Sequence, residues 1–313
     1  MVVDTSASLA ASITKKSSQQ TYYTIRFMAD HDLIGNAYRT YAYFRWVDDH
    51  LDTESLPQSE RNAFLQQQET LLERCYRGEK AGDVCQEERM LVDLVQSDPD
   101  PQSGLHSYLY NMMAVMAFDA GRRGRLISQL ELSRYTDWLA SAVTEAMHYF
   151  IGHNCPSPHD DSRYLAVSAA HVTHMLRDTL EDTRIGYYNI PEEVLRANHI
   201  NPQDVDSDAY RTWVKSRVQL AREQFQAGRN YLKRVANTRC RLTGFAYTAR
   251  FDWLLDTIER EEYYLRPEYA ERKSFSRAWR MGWDILATIF GVSKEQTPTR
   301  HVTGRTERNR HEI

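Results

Sequence analysis

Proline and glycine are scarce, with 9 and 13 residues in a chain of 313. Few turn formers mean few turns, which disfavours a many-stranded β fold and favours long helices. Cysteine is scarcer still. Cys75, Cys85, Cys155 and Cys240 are scattered, with no CxxC, so neither a zinc site nor a disulfide frame is expected. Free thiols point instead to a reducing, cytoplasmic setting. No apolar run approaches the ~18 residues that a spanning helix needs. Residues 1–20 place small and polar side chains ahead of Lys15 and Lys16. That is the reverse of a secretory signal, so no signal is expected. A dominant charge is missing too. Lys plus Arg number 39 and Asp plus Glu 43, for a net −4, which speaks against a nucleic-acid partner read through a broad basic face. Aromatics are plentiful: 19 Tyr, 10 Phe and 6 Trp. With 42% hydrophobic residues they suffice for a sizeable core.

Apolar residues recur at helical spacing through most of the chain. Segment 32–52 carries Leu33, Ala37, Tyr41 and Phe44; segment 108–119 carries Tyr108, Met112, Val115 and Met116. Segments 163–182, 211–234 and 241–260 show the same period. Turn signals fall at Ser97–Gly104, His153–Ser162, Gly186–Pro191 and Asn198–Ser207. No stretch alternates as a half-buried strand would, and no linker splits the chain. The expectation is one all-α domain of roughly ten helices over residues 21–290. Residues 1–20 read as a loose lead-in and 291–313 as a loose polar tail, both too poor in apolar surface to offset their ordering entropy.

Two acidic clusters stand out. In the first, Asp48 and Asp52 share a helix face, with Arg45 one turn earlier. In the second, Asp178 and Asp182 share a face that His174 and His171 extend toward the helix start, beside Arg177. Either cluster alone reads most simply as a solvated, salt-bridged surface. The second has small apolar flanks, including Ala166, Ala169 and Ala170, and a buried carboxylate stripe is costly unless paired or metal-bound. Were the two helices to face each other, four carboxylates would converge on one cavity. Hard oxygen ligands suit Mg²⁺, which binds through one or two carboxylates plus substrate phosphates. A diphosphate substrate would fit such a site, with aromatic faces stabilising the cation left when diphosphate departs.

The two motifs, in this order, resemble those of the squalene/phytoene synthase family, the head-to-head branch of the class I isoprenoid synthases. Tyr41-Ala42-Tyr43-Phe44-Arg45-Trp46-Val47-Asp48-Asp49-His50-Leu51-Asp52 parallels the family's Y-A-F-C-R-x-x-D-D-x-x-D. His171-Val172-Thr173-His174-Met175-Leu176-Arg177-Asp178-Thr179-Leu180-Glu181-Asp182 parallels Q-L-T-N-x-L-R-D-x-x-E-D. Thr21-Tyr22-Tyr23 resembles an early S-F-Y, and Ala221-Arg222-Glu223-Gln224-Phe225 a later A-R-x-Y-Y. The resemblance spans about residues 20–290. It implies a single-domain α-bundle with a central cavity, acting on prenyl diphosphates. It makes Asp48, Asp52, Asp178 and Asp182 metal-ligating and catalytic, with Mg²⁺ or Mn²⁺ as the ion. Arg45 and Arg177 fall near the diphosphates, and Tyr41, His171 and His174 line the cavity beside the substrate.

The sequence also departs from the family's pattern. His174 stands where the family has Asn, and His171 where it has Gln. Each is open to three readings: a ligand better suited to softer metals, a donor to diphosphate, or a core histidine. The family's A-G-x-V-G has no glycine counterpart at Ala140-Ser141-Ala142-Val143-Thr144, and Glu145, just after it, either enters the cavity or faces Arg134 or solvent. Tyr187 and Asn189 replace Arg and Tyr. Three functions are therefore in view. The leading one is head-to-head condensation of C15 or C20 prenyl diphosphates, as in squalene and carotenoid biosynthesis. The second is a cyclase acting on one prenyl diphosphate. The third is a non-enzymatic binding or assembly factor, against which the four retained aspartates count. No GxGxxG supports a nucleotide fold, so use of NADPH is open. The absence of a terminal apolar helix argues against a tail-anchored form, while apolar substrates suggest peripheral membrane contact.

Overall fold

The computed structural model describes residues 5–53, 56–153 and 155–269. Among these the chain forms eleven α-helices, one short 3-10 turn at Asp161–Arg163 and no strand. The helices are α1 (Thr5–Ser17), α2 (Gln19–Met28), α3 (Ile34–Leu51), α4 (Gln58–Tyr76), α5 (Gln86–Ser97) and α6 (Gly104–Arg122). There follow α7 (Gln129–Phe150), α8 (Leu165–Ile185), α9 (Glu192–Asn198), α10 (Asp208–Arg234) and α11 (Thr238–Arg260). The turn signals at Ser97, Gly186 and Asn198 mark the ends of α5, α8 and α9. Helix starts are set by side-chain caps: Ser103 for α6, Ser128 with Glu131 as a capping box for α7, Ser207 for α10 and Asn237 for α11. Gly186, at φ 90°, ends α8 in the left-handed conformation that a side chain resists.

The lead-in expected over residues 1–20 is not loose from Thr5 onward. Helix α1 packs on α3 and α5. It does so with small residues: Ser6, Ala10 and Thr14 are buried. Ser6 Oγ donates to Asp93 Oδ2 at 2.5 Å and accepts from Arg39 Nε at 2.8 Å. Its low hydrophobicity reflects close approach to its neighbour. Arg39 thereby ties α3 to Ser6 of α1 and to Asp93 of α5. The expected boundary at 290 and the tail at 291–313 lie outside the described residues.

The apolar core divides in two. One cluster centres on α3 to α7, with Tyr43, Phe44, Val47, Leu91, Leu94 and Leu105, and is joined by Ala10 of α1, Tyr231 and Leu232 of α10 and Phe245 of α11. The other joins α8 to α11 through Val172, Leu176, Tyr210, Val214, Phe225 and Leu255. Met175 bridges toward Ile127 and Leu132 between them. Helices α8 and α10 touch at Gly228, where an added Cβ would lie 2.6 Å from Ala166 N. Gly121, in the last turn of α6, faces open space. The two glycines thus predict opposite outcomes. Gly228→Ala should destabilise by about 1–3 kcal/mol through forced separation of α8 from α10. Gly121→Ala should stabilise by up to about 1 kcal/mol through helix propensity. Urea unfolding of both variants checks this; a neutral Gly228→Ala would show the contact to be compliant.

Candidate active site

The first acidic motif closes α3. Arg45 Nη1 donates to Asp48 Oδ2 at 3.1 Å, and its Nη2 pairs with Asp49. Asp52 is the C-cap, its N–H donating to the Asp48 carbonyl at 2.9 Å. Burial and the neighbouring charge of Asp52 push the Asp48 carboxyl up to about 6. Burial also raises Asp52, against the pull of Arg45. Tyr41 lies one turn before Arg45, and burial raises its hydroxyl pKa, against the pull of Arg45.

The second motif lies on α8. Arg177 folds back onto its neighbour Asp178, Nε to Oδ1 and Nη2 to Oδ2, both at 2.6 Å. Asp182 Oδ2 accepts from Asn189 Nδ2 at 2.7 Å. Burial, with the Asp178 charge adding to it, pushes Asp182 up to about 6 despite that hydrogen bond.

What joins the motifs is a residue that sequence reasoning left without a role. Asp119, near the end of α6, is among the negative charges that raise Asp48, Asp52 and Asp182 alike. Arg122 binds it, Nε to Oδ1 at 2.7 Å, and the Tyr135 hydroxyl donates to its other oxygen at 2.7 Å. Arg122 Nη1 in turn donates to Asn189 Oδ1 at 2.9 Å. One continuous chain therefore runs Tyr135–Asp119–Arg122–Asn189–Asp182. Tyr187 covers it, with the Arg122 guanidinium 5.0 Å from its ring centroid. Arg122 also lies over the rings of Phe118 and Tyr135. The signal for Asp119 and Arg122 was an i,i+3 pair at a helix end, which by itself reads as a surface ion pair.

The substituted positions have definite environments. His171 is buried, its ring edge-on to Tyr135 at 4.8 Å, and its Nε2 has no hydrogen-bond partner among the described residues. Burial first, then the charges of Arg122 and Arg217, hold its pKa down at about 3, so the ring is neutral across the physiological range. His174 packs edge-on against Phe251 at 4.8 Å on the half-buried side of α8. Glu145 takes none of the places expected of it. Arg163 grips it with Nε and Nη2 at 2.7 and 2.9 Å, and the Tyr164 hydroxyl donates to it at 2.8 Å. Asn189 supplies the bond to Asp182 and ties it to Arg122.

The model of the squalene/phytoene synthase family matches residues 14–279. The chain belongs to that family. It is a prenyltransferase of the squalene/phytoene synthase type, and its all-helical architecture is the isoprenoid synthase fold. The squalene synthase HpnC from Alicyclobacillus acidocaldarius superposes with a TM-score of 0.67 at 20% identity, covering 84% of this chain and 96% of that one. A dehydrosqualene synthase solved in complex with a ligand gives a TM-score of 0.68 at 16% identity, covering 92% and 97%. At those identities the two structures speak for the fold. No curated protein sequence matches. No helix among the described residues is long and apolar enough to cross a membrane.

The raised carboxyls predict a pH signature. A carboxyl whose folded pKa lies above its unfolded value favours the protonated fold. Its stability contribution is full below about pH 4 and is lost as pH climbs through about 6. In chelator, Asp48→Asn or Asp182→Asn should therefore melt higher than the parent at pH 7.5, with the gap closing near pH 4. Arg122→Met should behave oppositely, losing about 3 kcal/mol by orphaning Asp119 and Asn189. Melting curves across pH check both; aspartate variants that melt lower at pH 7.5 would show that the carboxylates are not in repulsion.

Proposed function

We propose that the enzyme joins two C15 or C20 prenyl diphosphates head-to-head, passing through a cyclopropylcarbinyl diphosphate. The observation that supports this reading is the shared field of Asp119, which couples the motif on α3 to that on α8. One diphosphate and its allylic chain would lie between them. The donor set is carboxylate oxygen, which suits a hard ion such as Mg²⁺ or Mn²⁺. Among the described residues no three carboxylate, imidazole or thiol groups stand close enough to hold an ion by themselves. Such an ion would thus be shared between one or two of Asp48, Asp52, Asp178 and Asp182 and the phosphate oxygens. When bound, it supplies charge neutralisation to the departing diphosphate.

The chain's own residues do the rest. Arg45 and Arg177, each paired with a carboxylate, would turn to diphosphate oxygens were those carboxylates to hold a cation. Arg122 stays with Asp119 and Asn189 and holds Asp182 of the second motif to the end of α6. The first substrate loses diphosphate, and the C2–C3 double bond of the second attacks the allylic cation. Loss of a proton then closes the three-membered ring. The ring of Tyr41, beside the first motif, would offer a face to the cation and help to exclude water from it. His174, in place of an amide, brings a nitrogen donor within one turn of Asp178.

Incubation with C15 and C20 diphosphates and Mg²⁺, with and without NADPH, followed by mass analysis of the lipid extract, tests the proposal. Coupled C30 or C40 products, or their cyclopropyl diphosphate precursor, are expected; a cyclised product of a single substrate would replace this reading with the cyclase. Asp48→Asn and Asp178→Asn should each lower turnover by about 10²-fold or more while leaving the fold intact. His174→Asn should shift the preference from Mn²⁺ or Co²⁺ toward Mg²⁺. An unchanged metal preference would place the imidazole with Phe251 as packing alone.

A further inference from the structure

Six large apolar side chains are exposed among the described residues, and two of them stand together. Tyr23 is 50% and Phe27 71% exposed. They lie one turn apart on α2 with their rings stacked, centroids 6.1 Å apart. Helix α2 buries none of its residues. A patch of two rings is small for a protein interface, but aromatic side chains beside basic ones suit the boundary between lipid headgroups and acyl chains.

Along α1 and α2 the charge is of one sign; just beyond them Asp30 is held by Arg239, and Asp32 is exposed. From Thr5 to Met28 the chain carries Lys15, Lys16 and Arg26 and no acidic residue. All three are exposed. Arg26 sits on the same side of α2 as Tyr23, and Lys15 and Lys16 end α1 just before the Ser18 cap. An anionic surface complements this arrangement. The other side of α2 packs on α3. Tyr22 stacks on Tyr38 of α3 at 5.1 Å, and the Tyr38 hydroxyl donates to the Tyr22 carbonyl at 3.2 Å.

We propose that α2 docks the enzyme on an anionic bilayer. Tyr23 and Phe27 enter the headgroup boundary, and Lys15, Lys16 and Arg26 meet lipid phosphates. Docking places the wall that carries Tyr41 and Arg45 at the membrane surface, where an isoprenoid chain resides. That purpose rests on the proposed reaction; the docking itself rests on the exposed face.

Co-sedimentation of the full chain with vesicles of phosphatidylcholine, alone or mixed with phosphatidylglycerol, tests this. The parent should sediment with the mixed vesicles and weakly with phosphatidylcholine alone. Tyr23→Ser with Phe27→Ser should weaken binding about 10-fold or more. Lys15→Gln, Lys16→Gln and Arg26→Gln together should weaken it by about 10²-fold on mixed vesicles and remove its salt dependence. Tyr110→Ser with Leu130→Ser, exposed elsewhere, should leave it unchanged, and circular dichroism should match across the set. A parent that stays in the supernatant, or binding that both α2 variants retain, would overturn the proposal, as would equal loss in the Tyr110/Leu130 control. Turnover of detergent-dispersed substrate by the parent is read separately. Its absence alongside vesicle binding would sink the reaction and leave the docking standing.

Discussion

One guanidinium holds together a charge distribution that would otherwise push itself apart. Burial, with the charge of Asp119 adding to it, raises the carboxyls of Asp48 and Asp52 on α3 and of Asp182 on α8, and Arg122 is the buried cation bonded to Asp119. It satisfies Asp119 directly and reaches Asp182 through Asn189. Three rings surround it, so its charge is shielded from water and acts at short range. Excess negative charge remains beyond what Arg122 neutralises, and that surplus is what a cation-bearing substrate would meet. The same surplus works against the empty fold, a trade of stability for function that active sites often make.

The helices were legible because their apolar spacing is regular and their ends carry Gly, Pro and Ser signals. Helix α1 was not, because it packs through Ser6, Ala10 and Thr14, side chains that carry no hydrophobic signature. The aspartate motifs were legible as i,i+4 pairs. Their meeting through Asp119 was not, because the residue that joins them lies on a third helix some sixty positions from either motif. Local spacing cannot report a contact that depends on how α6 is laid across the bundle.

The positions that depart from the family pattern form a connected set in space. Asn189 serves Asp182, Tyr187 covers Arg122, and His171 leans on Tyr135, which serves Asp119. Glu145 belongs to a separate group with Arg163 and Tyr164 that ties α7 to the start of α8. The substitutions near the carboxylates thus revise one hydrogen-bonded chain, and the change at 145 revises a joint between helices. An imidazole held neutral at 171 adds no second cation beside Arg122 at the Tyr135 ring.

The contact between Gly228 and Ala166 has a mechanical consequence. With no side chain between them, α8 and α10 move as a single beam, and the second aspartate motif is a fixture on that beam. The first motif is carried by the other apolar cluster, which also takes in Tyr231 and Leu232 of α10, and Met175 packs with Ile127 and Leu132 across the seam beside the polar chain. The beam is therefore seated on the first cluster through α10 as well as α8, and a shift of one motif against the other has to repack apolar side chains along with the polar chain.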